Sequence, residues 1–159
     1  MKKTNKAFTL IELLVVVLII GILASIAVPQ YKAAVDKTRL SRILPVIKDI
    51  HMAQQVYQLS TGHYAEDFSQ LDILLPAGAN STSANEVIYD DVRYYIYKGN
   101  ETSQSIMCYD RQKRLPDMEQ FYTWEYMLCW HYGDEYKKKL CQNFPNTSCP
   151  TDKKYCQIY

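Results

Sequence analysis

The chain has no Cys-x-x-Cys, no His-Glu-x-x-His and no glycine-rich phosphate loop, and it holds only five glycines in 159 residues. Those absences remove the short motifs of structural zinc, zinc hydrolases and nucleotide binding. Its three histidines, His51, His63 and His131, stand apart, and no serine, histidine and acid follow a catalytic order, so no catalytic residue and no enzyme activity are assigned. Asp90, Asp91, Asp110, Asp117 and Asp134 form no calcium loop, and neither a metal nor another cofactor is expected. An excess of one charge is also missing: 18 Lys/Arg against 17 Asp/Glu leave +1. That balance gives no bulk attraction to nucleic acid, although Lys137-Lys138-Lys139 with Lys153-Lys154 keeps a local basic patch open. A solvated face explains those lysines more simply. With 22% charged and 13% aromatic residues, a wholly disordered chain is excluded.

What is present is unevenly spread. Residues 1–7, MKKTNKA, carry three lysines and no acid. The next 21, Phe8 to Val28, include 17 apolar ones, while the mean hydropathy of the whole chain is -0.27. As a helix this run measures about 31 Å, the thickness of a bilayer's hydrocarbon core. The lysines belong on the cytoplasmic side and the bulk of the chain outside. A permanent anchor and a secretory signal cut after Ala27, at Ser25-Ile26-Ala27, are the two ordinary readings. Glu12 fits neither: a lone carboxylate five residues into an apolar run costs up to roughly 2.5–3.5 kcal/mol near a helix centre and brings an anchor nothing.

The segment Ala7-Phe8-Thr9-Leu10-Ile11-Glu12-Leu13, continued by Ile22-Leu23-Ala24-Ser25-Ile26-Ala27-Val28-Pro29-Gln30-Tyr31, resembles the processing signal of type IV pilins and type II secretion pseudopilins. The resemblance implies that a membrane prepilin peptidase cuts between Ala7 and Phe8 and N-methylates Phe8. The family usually has glycine where this chain has Ala7. Glu12 then becomes the fifth mature residue, and the resemblance implies that it neutralises the Phe8 amine of a neighbouring subunit. A paired buried charge sets register where an unpaired one is only costly. The family also carries a helix proline at the place of Pro29, which implies a stretch from Gly21 to Pro29 able to unwind on assembly. A static kink is the equal alternative.

Beyond the membrane segment, Leu40, Ile43, Ile47, Ile50 and Tyr57 recur at helical spacing, with Lys37, Arg39, Arg42, Lys48 and Gln55 opposite. One helix is therefore predicted from Thr9 to Ser60, kinked at Pro29 and Pro45 and ended beside Gly62. A loop follows in which Tyr64, Phe68, Leu71, Ile73 and Leu74 wrap beside a sheet, and residues 77–86 read as an exposed loop. Strands are predicted at Val92–Tyr97, at Ser105–Asp110 and from Phe121 to Trp130, the last with Tyr122, Trp124, Tyr126, Leu128 and Trp130 on one face. The predicted class is α+β: a long kinked helix packed on a small antiparallel sheet of three or four strands, the pilin-like arrangement. The domain plan is a leader over 1–7, the long helix over 8–60 (8–28 for membrane or filament core) and a head over 61–159. All 14 tyrosines lie at or beyond Tyr31, and most are read as sheet core.

The five cysteines, Cys108, Cys129, Cys141, Cys149 and Cys156, fall in what the orientation makes an oxidising compartment. Five cysteines form two bridges in fifteen ways, and spacing does not choose among them. The working assignment is Cys129–Cys141, tying the last strand to a short helix at 134–140, and Cys149–Cys156, closing a loop around Pro150. Cys108 is then buried and free, or paired elsewhere. Pilins carry a disulfide-bounded C-terminal loop, but that resemblance does not specify these partners.

The functional expectation is a filament subunit, made in the bacterial inner membrane with its head in the periplasm and assembled into an extracellular type IV pilus for adhesion, twitching or DNA uptake. The alternative is a pseudopilin of a type II secretion system, whose fibre stays in the periplasm. A secreted binding domain cut after Ala27 ranks third. Expected partners are identical or related subunits, the prepilin peptidase, an inner-membrane assembly platform and, before assembly, the lipid bilayer. Removal of residues 1–7 leaves 15 basic and 17 acidic side chains. The mature N-terminus separates the readings: mass spectrometry is expected to find methylated Phe8, whereas a start at Val28 makes the chain a secreted domain.

Overall fold

The computed structural model describes residues 8–99, 104–122 and 126–159. The leader, Ala7 and Trp124 lie outside the described residues. The chain divides into two compact units, one ending at Val35 and one spanning Asp36–Tyr159.

Helix α1 runs over Leu10–Thr61. It continues unbroken through Pro29 and Pro45. Each proline removes the N–H that would meet the carbonyl four residues earlier. Gly62, at φ +85, takes the left-handed conformation that ends helices, and its N–H closes the last turn on the Gln58 carbonyl.

In the second unit, α1 buries Leu40, Ile43, Val46, Ile47 and Ile50 in the hydrophobic core, while Lys37, Arg42 and Lys48 stay exposed. This is the stripe read from the sequence, with Tyr57 only half-buried. The sheet has eight strands: β1 Asn80–Ser83, β2 Glu86–Tyr89, β3 Val92–Tyr97, β4 Ser105–Asp110, β5 Asp117–Phe121, β6 Met127–Trp130, β7 Thr147–Ser148 and β8 Tyr155–Ile158. The order is β1-β2-β3-β4-β5-β6-β8-β7, every neighbour antiparallel. Helix α2, Glu135–Gln142, lies between β6 and β7 in the chain and is capped by the Asp134 carboxylate, which accepts from the N–H groups of Tyr136 and Lys137. The class is α+β.

The sheet is larger than predicted, for three local reasons. Residues 80–83 form an edge strand in the segment read as loop, because NSTS is exposed throughout and has no apolar alternation to betray it. β2 and β3 are joined by Asp90-Asp91, both at positive φ (50 and 62), a tight hairpin turn without the usual glycine. The strand predicted over 121–130 starts only at the end of β5, and its last four residues form β6, which pairs back on β5. β5 reads DMEQF and buries Met118, Glu119 and Gln120 in succession, so no period of two is visible. Leu74 also departs from expectation: it is 97% exposed, whereas Phe68 and Leu71 are buried.

Two polar side chains hold the second unit together. Gln54, fully buried on α1, donates through Nε2 to the Ala65 carbonyl (3.0 Å) and accepts the Ala65 N–H on Oε1 (2.8 Å). It replaces a pair of backbone bonds for a loop that has none to offer there. The Tyr136 hydroxyl donates to Asp36 Oδ2 at 2.7 Å, joining α2 to α1, and with burial this pushes the Tyr136 phenol up to about 12. Gln54→Met keeps the volume and strands two buried backbone groups. It is expected to lower stability by about 2–4 kcal/mol in chemical denaturation, and a loss under about 0.5 kcal/mol contradicts this role for Gln54.

Candidate functional site

The first unit presents a helix that is apolar on every side. Phe8 is 81% exposed, Leu10 83%, and the large apolar residues from Ile11 to Val28 remain roughly half exposed or more. A water-facing helix keeps a polar face; one without it needs an apolar surrounding on all sides. Leu10–Thr61 is long and apolar enough to cross a membrane. At about 1.5–3 kcal/mol per large side chain, the apolar run carries tens of kcal/mol of transfer free energy that water does not supply.

Glu12 has a partner that the sequence reading missed. Its Oε2 accepts the Thr9 N–H at 2.8 Å and the Thr9 hydroxyl at 2.7 Å, while the Glu12 N–H donates to Thr9 Oγ1 at 3.3 Å. Thr9-x-x-Glu12 is a capping box, with its signature plainly present in the sequence. The expectation that Glu12 brings a simple anchor nothing is therefore corrected: it satisfies donors that the start of α1 leaves open. Both bonds from Thr9 end on Oε2. Among the described residues Oε1 has no partner, and a carboxylate accepts about four hydrogen bonds. Capping and a further cationic contact are compatible at one side chain. At the other end of the apolar run, the Ser25 hydroxyl donates to the Ile22 carbonyl at 2.7 Å, four residues before Pro29.

The C-terminal region is fixed by two disulfides. Cys129 on β6 is bonded to Cys141 on α2, and Cys149 to Cys156 on β8. Cys129, Cys141 and Cys156 are fully buried. Cys108 on β4 is buried and free, and burial pushes its thiol well up, so it stays protonated and unreactive. The histidines assemble no site: His51 and His131 are held below their usual range by burial, on separate elements. Among the described residues no cluster of three potential metal ligands occurs.

With this geometry in view, similarity to known proteins is specific at the N-terminus. Residues 2–28 match the model of the prokaryotic N-terminal methylation motif. The type IV major fimbrial protein FimA of Dichelobacter nodosus is 39% identical over 90 residues, 53% of this chain and 58% of that protein. The N-terminal half of the chain is thus similar to type IV pilins. A fimbrial protein of Pseudomonas aeruginosa is 45% identical over 53 residues, 33% of this chain and 34% of its own length. The type IV wide pilus major component PilA4 of Thermus thermophilus is 36% identical over 83 residues, 52% of this chain and 61% of its own. Each match thus spans less than two thirds of the pilin relative. No solved structure matches the chain.

The cysteine arrangement is directly checkable. Alkylation of the denatured but unreduced protein is expected to label Cys108 alone. Cys141→Ala paired with Cys129→Ala is expected to lower stability by about 2–4 kcal/mol. Five reactive thiols contradict both bridges, and three contradict one of them.

Proposed function

We propose that the chain is a structural subunit of a type IV pilus. Residues 1–7 serve as leader, Phe8 to Val28 anchor the precursor in the inner membrane, and residues 61–159 with the end of α1 form the exported head. The prepilin peptidase cuts between Ala7 and Phe8 and methylates Phe8. An inner-membrane assembly platform then moves the subunit from lipid into a helical homopolymer. The observation that carries this reading is the apolar helix opened by a Thr9–Glu12 capping box with one carboxylate oxygen still unpartnered among the described residues. Cleavage at Phe8 creates an amine, and a neighbour's Oε1 is its natural acceptor in a surrounding that water does not reach.

Exchange of lipid for neighbouring helices costs little, because both surroundings are apolar. The similar proteins are fimbrial and pilus components, which favours a surface pilus over a pseudopilus. A signal cut after Ala27 fits poorly with a helix that continues through Ala27 and Pro29.

Two substitutions separate the cap from the charge. Glu12→Ala removes both and is expected to leave the protein in the membrane fraction with filament yield in sheared supernatants down tenfold or more, since a buried unpaired amine costs roughly 3–5 kcal/mol. Glu12→Gln keeps a residue that serves the capping box and loses the charge, and the same defect is expected. Normal yield from Glu12→Ala rejects the assembly role. Normal yield from Glu12→Gln alone reduces Glu12 to a helix cap.

A further inference from the structure

The strand register gives the sheet a second face, turned away from the core. Arg93 pairs with Tyr109, Asp117 with Trp130, and Trp130 with Tyr155, so these side chains share that face while Tyr94, Cys108, Met118 and Cys129 share the other. At one end of it lies a cleft of about 610 Å³ lined by Arg93, Tyr109, Arg111, Lys113, Tyr132 and Lys137, with Asp110 and Asp117. That volume suits a ligand of one or two rings.

The cleft is organised from several directions. The Asp110 carboxylate accepts the N–H groups of Gln112 (3.2 Å), Arg114 (2.8 Å) and Leu115 (3.1 Å), so it shapes the β4–β5 turn and is not available to a ligand. The turn places Lys113 at φ +55 and Arg111 beside it. Glu119, itself held by the Ser105 hydroxyl (3.0 Å), accepts the Trp130 indole N–H at 2.9 Å. Trp130 in turn stacks on Tyr132, centroids 5.8 Å apart and planes 20° apart, while Tyr132 remains 54% exposed. Tyr132 sits at φ 52, and both Lys113 and Tyr132 are therefore non-glycine residues kept in left-handed backbone on the rim of one cleft. Such conformations are costly and persist where the surroundings over-determine them.

Charge is just as selective. Arg93 pairs with Glu86 and Arg111 with Asp91, whereas among the described residues Lys113 and Lys137 make no ion pair. Four cations face two acids: Asp110 is spent on the turn, and Asp117 accepts the Tyr132 hydroxyl and lies in the field of Lys113 and Lys137. From this juxtaposition of fixed aromatic rings and unpaired lysines we propose that the cleft is a binding site for a carboxylated saccharide. The sugar ring packs on Tyr132 and Tyr109 and its carboxylate meets Lys113 and Lys137, while Asp117 accepts the Tyr132 hydroxyl and holds that ring in place. An extended polyanion is disfavoured, because the basic patch is bounded and the chain carries a net charge of only +1. The site requires nothing of the apolar helix, so it stands whether or not the filament reading does.

The test is titration of the full chain in detergent micelles, followed by saturation-transfer NMR. The probes are galacturonate, N-acetylneuraminate, galactose as the neutral counterpart, inorganic phosphate and a short oligothymidylate. Saturable binding of an acidic sugar is expected, with galactose weaker by roughly tenfold, the worth of one charge-assisted hydrogen bond. Lys113→Asn, Lys137→Gln and Tyr132→Asn are each expected to weaken acidic-sugar binding by a similar factor. Asparagine is chosen at 113 and 132 because it tolerates left-handed backbone, and Lys137→Gln leaves the backbone cap of α2 intact. Thermal unfolding identifies any variant that fails to fold, and the remaining variants carry the comparison. No saturable binding of either acidic sugar overturns the proposal. So does equal affinity for phosphate, which marks a plain anion site, tighter binding of the oligonucleotide, or unchanged affinity in the folded variants.

Discussion

From Phe8 to Val28 the helix shows apolar side chains in every direction, and each later feature of the molecule has to accommodate that fact. Water is not a stable surrounding for such a surface; lipid is one, and a bundle of like helices is another. Glu12 is the one acid in the run. It is tolerated because it is useful locally, closing the first turn through Thr9, and it keeps an oxygen for a cation that only another molecule brings in the proposed fibre. A residue that costs little in the single chain and is fully used only in the polymer is a sound physical basis for register.

The second unit solves a different problem, the stability of a small sheet with one helix laid on it. Its core is a single apolar stripe of α1 laid on one face of a sheet. Phe68, Leu71 and Leu115 from the connections complete that core, and specific bonds fasten the chain around it: Gln54 to Ala65, Tyr136 to Asp36, Cys129 to Cys141 and Cys149 to Cys156. The opposite face of the sheet carries Arg93, Tyr109, Trp130 and Tyr155 around a buried Ser105–Glu119 hydrogen bond.

Legibility followed the strength of local patterns. α1 was readable to within a residue at each end because it has an apolar run, a helical stripe and a terminating Gly62. β3 and β4 matched their predicted limits because VRYYIY and SIMCYD are rich in strand formers between turns. β1, β2, β5, β7 and β8 are not legible in the sequence, being all polar, buried on both faces or only two to four residues long. The capping box is legible in the spacing of Thr9 and Glu12 at the head of the apolar run. The Gln54 bond and the cleft around Tyr132 depend on residues distant in the chain, and no local pattern announces them.

The central claim is that Glu12 of one subunit meets the Phe8 amine of another. Solid-state NMR on filaments grown from mixed subunits tests it most directly, half carrying nitrogen-15 at the Phe8 amine and half carrying carbon-13 at the Glu12 carboxylate. The account predicts dipolar dephasing between the two labels, which in mixed filaments arises only across a subunit boundary. Well-formed filaments with no such dephasing contradict it.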